Sequence, residues 1–288
     1  MAGLAKPFLG SVALARGQLS RHQLRTRYRA VFPDVYLRRV ADAPPSLRQR
    51  TAAAWLWSHG DATIAGLAAA ALHGTKWIDD DVDIELIHAN PRPPEGITTR
   101  RDELLSGETQ LLGGRLVTTP ARTAFDLGRS GYIDRGVARL DALTRATRLQ
   151  VSEIEELARR HRGARGLRQL ETVLDLVDSG AESPKETWLR LLLIRDGLPR
   201  PRTQIPVADP DDVPFAFLDM GWDDCMVAAE YDGEHHQRSR WQYTKGIRRS
   251  ERIARHGWIV VKVVKEDRPA DILRRVRLAR ASRLASVH

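Results

Sequence analysis

The run Val227-Ala228-Ala229-Glu230-Tyr231-Asp232-Gly233-Glu234-His235-His236 sets two carboxylates one residue apart on an apolar stretch that ends in a turn and a histidine pair. Side chains alternate across an extended strand, so Glu230 and Asp232 share a face with Ala228, while Val227, Ala229 and Tyr231 take the other. Upstream, Phe215, Phe217 and Asp219 alternate in the same way and bring a third acid to the end of a second short strand. Hard oxygen donors at two neighbouring strand ends suit Mg²⁺ or Mn²⁺, which takes few ligands from protein. A cation held there activates water against a phosphodiester. Asp219, Glu230 and Asp232 are therefore candidate metal ligands and candidate catalytic residues. His236, beside His235, is a candidate general base or leaving-group acid near neutral pH, and Lys262 is an alternative proton-handling group. The competing reading is a solvated turn, since Asp232-Gly233 is a good hairpin pair and His235-His236 a polar turn pair.

Several elements must position these groups. Ser183-Pro184-Lys185-Glu186 opens a helix with a serine cap and a proline in the first turn, and Gly197 lies beyond its end. Glu186 fits a capping box and is also a fourth candidate catalytic acid. After the carboxylate strand, Tyr243 to His256 reads as a basic helix carrying Arg248, Arg252 and Arg255, with Gly257 as its stop. The β-branched run from Trp258 to Val264 reads as a strand, so the order is helix, strand, strand, helix, strand. Arg248, Arg249 and Arg252 are candidate contacts to backbone phosphates, and Trp241 or Tyr243 is a candidate for stacking on a distorted base step.

Residues from about 183 to 271 resemble the Vsr-like endonuclease domains of the PD-(D/E)XK nuclease superfamily. The matching pieces are Ser183-Pro184-x-Glu186, Gly197-Leu198-Pro199, Gln204, Asp219, Glu230-Tyr231-Asp232-Gly233-x-x-His236, Arg249 and Gly257-Trp258-x-Val260. The resemblance implies a small mixed sheet flanked by helices, with Asp219 and the acids of the Glu230 strand on the metal and Glu186 contributing from the helix. Two positions depart from the pattern. Asp232 stands where the superfamily usually has the lysine of Glu-x-Lys, and Gly246 stands where relatives commonly carry an aspartate.

The charge distribution points to DNA as a partner. Residues 237–288 hold 15 Lys and Arg against 4 Asp and Glu, and residues 1–40 hold 8 against 1, whereas the whole chain is only +9. Positive charge is thus concentrated at the two ends of a chain whose middle is acidic, and a polyanion gripped by those ends binds with steep salt dependence. Near the N-terminus, Phe8 to Ala15 reads as an apolar helix and Gly17-Gln18-Leu19 as a turn. Ser20 caps a second helix through Tyr28 with Arg21, Arg25 and Arg29 spaced by four, and Val31 to Arg38 reads as a hairpin. Helix, turn, basic helix and wing describe a winged helix-turn-helix, which makes these three arginines candidate DNA contacts. With Gly66-Leu67-Ala68-Ala69-Ala70-Ala71-Leu72-His73-Gly74 and Val117-Thr118-Thr119-Pro120-Ala121-Arg122-Thr123-Ala124-Phe125-Asp126-Leu127 downstream, roughly residues 5 to 130 resemble the AbiEi family of antitoxin-like transcriptional regulators.

The expected fold is α+β and multidomain. Its parts are a winged helix-turn-helix over 1–75, a small β-containing antitoxin-like region over 76–130, a helical spacer over 131–180, and an α/β restriction-endonuclease-like domain with a mixed sheet over 181–288. The acidic run Trp77 to Glu85 reads as a strand with a polar face rather than a second metal site. A single cysteine, Cys225, excludes an internal disulfide framework and a Cys-rich zinc site. With no long apolar run and no leader pattern, the expectation is a cytoplasmic protein without membrane contact. Two functions follow: a Mg²⁺- or Mn²⁺-dependent endodeoxyribonuclease, as in DNA repair or phage defence, or a non-catalytic transcriptional regulator or antitoxin of the AbiEi type.

Overall fold

The computed structural model describes residues 6–40, 43–209, 213–233 and 240–285. The chain divides into two compact units, Met1–Asp175 and Leu176–His288.

The first unit opens with β1 (Phe8–Leu9), α1 (Gly10–Ala15), α2 (Arg21–Arg27), β2 (Tyr28–Phe32) and β3 (Val35–Arg38). Strands β1, β3 and β2 form an antiparallel sheet in that order. The sheet reaches back to Phe8 because Phe8 stacks on Tyr36 and meets Tyr28 edge-on, so the start of the expected first helix is strand instead. Asp34, at φ 60 in the β2–β3 turn, accepts from the Ser11 N–H at 2.8 Å and so caps α1, whose own N-cap residue Leu9 cannot. Ser20 forms a reciprocal capping box with Gln23 at the start of α2. The helix ends at Arg27, because buried Tyr28 and Phe32 impose strand periodicity on the next residues. Arg29 consequently lies on β2 rather than on the helix, and its guanidinium donates to the Ala43 carbonyl at 3.2 Å.

Next come α3 (Leu47–Trp57), β4 (Thr63–Ile64), α4 (Gly66–Leu72), β5 (Ile84–Ile87), β6 (Ile97–Arg100), β7 (Thr109–Leu112) and β8 (Arg115–Thr118). They build a five-stranded sheet of order β6-β5-β4-β8-β7. Phe32, Val35, Ala53, Ile64, Ile84, Leu86 and Val117 belong to one buried cluster, so a single core joins the N-terminal hairpin to this sheet across residues 75 and 76. Ile84 and Leu86 face that core, as the alternation in the acidic run requires. The helices α5 (Pro120–Gly128), α6 (Ile133–Thr147), α7 (Val151–Arg160) and α8 (Leu167–Leu176) follow.

The second unit contains α9 (Pro184–Arg195), β9 (Arg202–Ala208), β10 (Pro214–Trp222), β11 (Val227–Tyr231), α10 (Arg240–Arg255), β12 (Ile259–Val263) and α11 (Pro269–Leu284). Its sheet has the order β12-β11-β10-β9, with β11 and β12 parallel and the other pairs antiparallel. The expected mixed sheet is therefore present. Val227 and Ala229 pack with Leu189 and Leu193 of α9 and Ile272 and Val276 of α11, whereas Ala228 between them packs with Ile253 of α10. Both faces of β11 are covered, which is why the strand is an almost unbroken apolar run until Glu230. Among the described residues, no helix is long and apolar enough to cross a membrane.

Candidate functional site

The antiparallel ladder between β10 and β11 runs from Trp222↔Val227 to Met220↔Ala229, and the next residues along the two strands are Asp219 and Glu230. Freed from the ladder, the Tyr231 N–H donates to the Asp219 carboxylate at 2.9 Å. On the other side, Glu230 is in register with Lys262 of β12. Three adjacent strands thus present an acid, an acid and a lysine in succession. The Lys262 ammonium donates to Ser250 Oγ on α10 at 3.0 Å.

Glu186 comes to this place from the first turn of α9. Its carboxylate accepts from the Glu182 N–H at 2.7 Å and from the Ser183 hydroxyl at 2.9 Å, while the Glu186 N–H returns a bond to Ser183 Oγ at 3.2 Å. The cap is real, and the same side chain also acts electrostatically on Asp219. Burial pushes the Asp219 carboxyl upward, the charges of Glu186 and Glu230 push it further, and the Tyr231 N–H and Arg249 only partly oppose them, so its pKa rises to about 7.

Arg249 supplies the counter-charge. Its guanidinium donates to both oxygens of Glu230, at 2.9 and 3.3 Å, and to the Phe217 carbonyl at 2.7 Å. Arg249 is the expected phosphate contact, and here its fork lies on the Glu230 carboxylate. Arg252 is likewise engaged, paired with Asp209 and stacked 3.8 Å from the centroid of Phe215. Arg248 is exposed at the cavity wall. Trp241 is 69% exposed, with the Lys245 ammonium 5.2 Å from its ring. A cavity of about 660 Å³ is lined by Asp219, Glu230, Asp232, Lys262, Phe215 and these α10 side chains.

Asp232 lines the cavity, yet among the described residues no three His, Cys, Asp or Glu side chains are arranged to hold a metal ion. Glu230 is instead paired with Arg249. A Mg²⁺ or Mn²⁺ at these acids would have Asp219 and Glu230 to hold it, the latter only in place of its pairing with Arg249. His235 and His236 lie outside the described residues, as does the side chain of Tyr243.

A second concentration of charge, not anticipated from the sequence, lies in the first unit. Arg122, Glu108 and Asp126 are 1%, 0% and 3% exposed. Arg122 donates to Asp126 at 3.0 Å, to Glu108 at 2.5 Å and to the Glu103 carbonyl at 2.8 Å. Arg100 and Arg129 add bonds to Asp126, and His161 meets Glu108 at 2.7 Å. Burial alone would raise both acids, but hydrogen bonds from His161 and Arg122 hold Glu108 low, and the charges of Arg100, Arg122 and Arg129 hold Asp126 low. The local signal for this network was the Arg122–Asp126 spacing of four on an otherwise apolar helix. In the N-terminal segment, Arg21 and Arg25 are exposed on α2.

Residues 63–176 match the model of the AbiEi antitoxin C-terminal domain. The match supports the AbiEi-like resemblance, displaced from the expected 5–130 and extended through the helices α5 to α8. Two Mycobacterium tuberculosis proteins, uncharacterized protein MT2308 of strain CDC 1551 / Oshkosh and uncharacterized protein Rv2248 of strain H37Rv, are each 30% identical to the chain over 223 residues, covering 77% of it and 82% of their own length. No solved structure matches. None of these comparisons supports the endonuclease resemblance.

Proposed function

The chain belongs to the same family as the M. tuberculosis proteins MT2308 and Rv2248, and from the AbiEi antitoxin C-terminal domain match within it we propose that it is a DNA-binding transcriptional regulator or antitoxin of the AbiEi type. The observation that carries the reading is the AbiEi antitoxin C-terminal domain match over 63–176, preceded by a helix, a capped basic helix and a hairpin. In this reading the segment is a winged helix-turn-helix, α2 enters the major groove, and the β2–β3 hairpin is the wing. Arg21 and Arg25 supply phosphate contacts and registration, and the acid-rich site of the second unit, neutralised by Arg249, serves as scaffold. The test is binding of the full-length protein, in EDTA, to duplexes from the region upstream of its own gene and to scrambled duplexes. Preference for the upstream DNA is expected, and equal affinity for both would remove the regulator reading.

One arrangement favours a second reading, a Mg²⁺- or Mn²⁺-dependent endodeoxyribonuclease. It is the succession of Asp219, Glu230 and Lys262 across adjacent strands beside a cavity with cationic side chains. This reading requires Arg249 to release Glu230 when DNA and a cation bind. Cleavage of supercoiled, mismatched or single-stranded DNA that is lost in Asp219→Ala would support it, and intact substrates under every divalent cation would sink it.

A further inference from the structure

A second cavity, of about 450 Å³, lies in the first unit. That volume is within the range of roughly 300–1,000 Å³ typical of small-molecule sites. Its walls come from the segment before β1 (Lys6, Pro7), the first turns of α3 (Arg48, Gln49, Ala52), the end of α4 (Leu72) and the β7–β8 turn (Leu112, Arg115). Three cations line it and no acid does.

Arg50, which borders another concavity of this unit, is engaged by protein, donating to the carbonyls of Asp80 and Val82. Lys6, Arg48 and Arg115 differ. Among the described residues, none of the three side chains makes a hydrogen bond or ion pair. Arg115 instead lies 5.7 Å from the centroid of the Trp55 ring, and its Nε–H is buried without an acceptor. A buried donor is ordinarily satisfied, by protein or by something bound. The Gly113-Gly114 pair, at φ 56 and 78, makes the tight hairpin turn that brings Arg115 back beside the cavity. Pro7, Leu72 and Leu112 add apolar surface to the same lining, which suits a ligand with an anionic group and an uncharged body.

We propose that this cavity binds a phosphate group, held by Arg115, Arg48 and Lys6, and carried either by a free nucleotide or by the DNA backbone. Guanidinium forks match phosphate oxygens two at a time, which is the chemistry the lining lacks a protein partner for. A phosphate seated there would bridge the N-terminal segment and the antitoxin-like sheet. The inference does not depend on the regulator reading, because a free nucleotide can bind whether or not the protein reads an operator.

The experiment is titration calorimetry of the full-length protein, at low salt in EDTA, with inorganic pyrophosphate, ATP and a short duplex of scrambled sequence. The same titrations are run on Arg115→Gln and on the double variant Lys6→Gln/Arg48→Gln, with circular dichroism as the check on folding. The double variant alters only exposed side chains and keeps the test decisive if Arg115→Gln fails to fold. Affinity for at least one probe should fall about ten-fold or more in a folded variant. Loss confined to pyrophosphate and ATP identifies a nucleotide as the source, and loss confined to the duplex identifies the backbone. Absence of binding to any probe, or wild-type affinity for all of them in the double variant, would overturn the proposal.

Discussion

Arg249 reaches from α10 to hold both oxygens of Glu230, at 2.9 and 3.3 Å, and so places a protein cation where two strand-end acids would otherwise face each other. Removing it should do two things at once. Arg249→Ala should lower stability by about 1–3 kcal/mol near neutral pH, since Glu230 loses a charge-assisted partner while 8% exposed. The exposed acid pair should then attract a cation, so Mn²⁺ or Mg²⁺ should raise the melting temperature of the variant more than that of the wild type. Identical metal responses in thermal unfolding would show that Arg249 does not compete with a cation for these acids.

The Asp219 carboxyl gives the site a definite pH dependence. Its pKa rises from an ordinary 3.8 to about 7 in the folded protein. The folded state therefore binds this proton more tightly than the unfolded chain, and the associated stability is full below pH 4, declines as pH rises toward 7, and is gone above it. Asp219→Asn keeps an acceptor for the Tyr231 N–H and removes the titration. Urea unfolding should find variant and wild type similar below about pH 4, with the variant more stable by roughly 2–4 kcal/mol above about pH 7. A constant difference across that range would refute the assignment.

The buried network of α5 is a stability device. Arg122→Met strips a guanidinium from two carboxylates that are 0% and 3% exposed, Glu108 and Asp126. Breaking such a cluster from one side costs about 3–5 kcal/mol, more than replacing all its members by apolar groups. Chemical denaturation should show this loss, and it should be smaller in Arg122→Met combined with Glu108→Gln and Asp126→Asn.

On the DNA side, Arg21→Ala/Arg25→Ala should leave the fold intact, because both side chains are exposed. Duplex affinity should fall, and the slope of log affinity against log salt should flatten by about 2, one unit for each lost phosphate contact. Unchanged slope in anisotropy titrations would relocate the DNA surface.

What was legible in the sequence was local. Period-two alternation located β10 and β11, Ser183 and Gly197 bracketed α9, and Gly257, at φ 86, stopped α10. The boundary between α2 and β2 was missed because Arg21, Arg25 and Arg29 continue a helical spacing through a point where Tyr28 and Phe32 switch the burial period to that of a strand. Long-range pairing was not legible. Arg249 and Glu230 are 19 residues apart, and nothing in either segment specifies that the helix will lay this arginine, rather than Arg248 beside it, on the carboxylate. Partial neutralisation of the acidic site is for that reason a property of packing, invisible to motif spacing.

Glu186 joins two structures that are usually separate, a helix cap and an acid cluster. Its carboxylate holds the Glu182 N–H at 2.7 Å at the entry to α9 and repels the charge of Asp219. When Asp219 loses its proton, the added negative charge bears on the group that closes the first turn. Amide exchange at Glu182 and in that turn should therefore quicken on the alkaline side of the Asp219 titration, beyond the ordinary base-catalysed rise. Fraying of a helix end becomes a readout of one proton bound at the edge of a sheet.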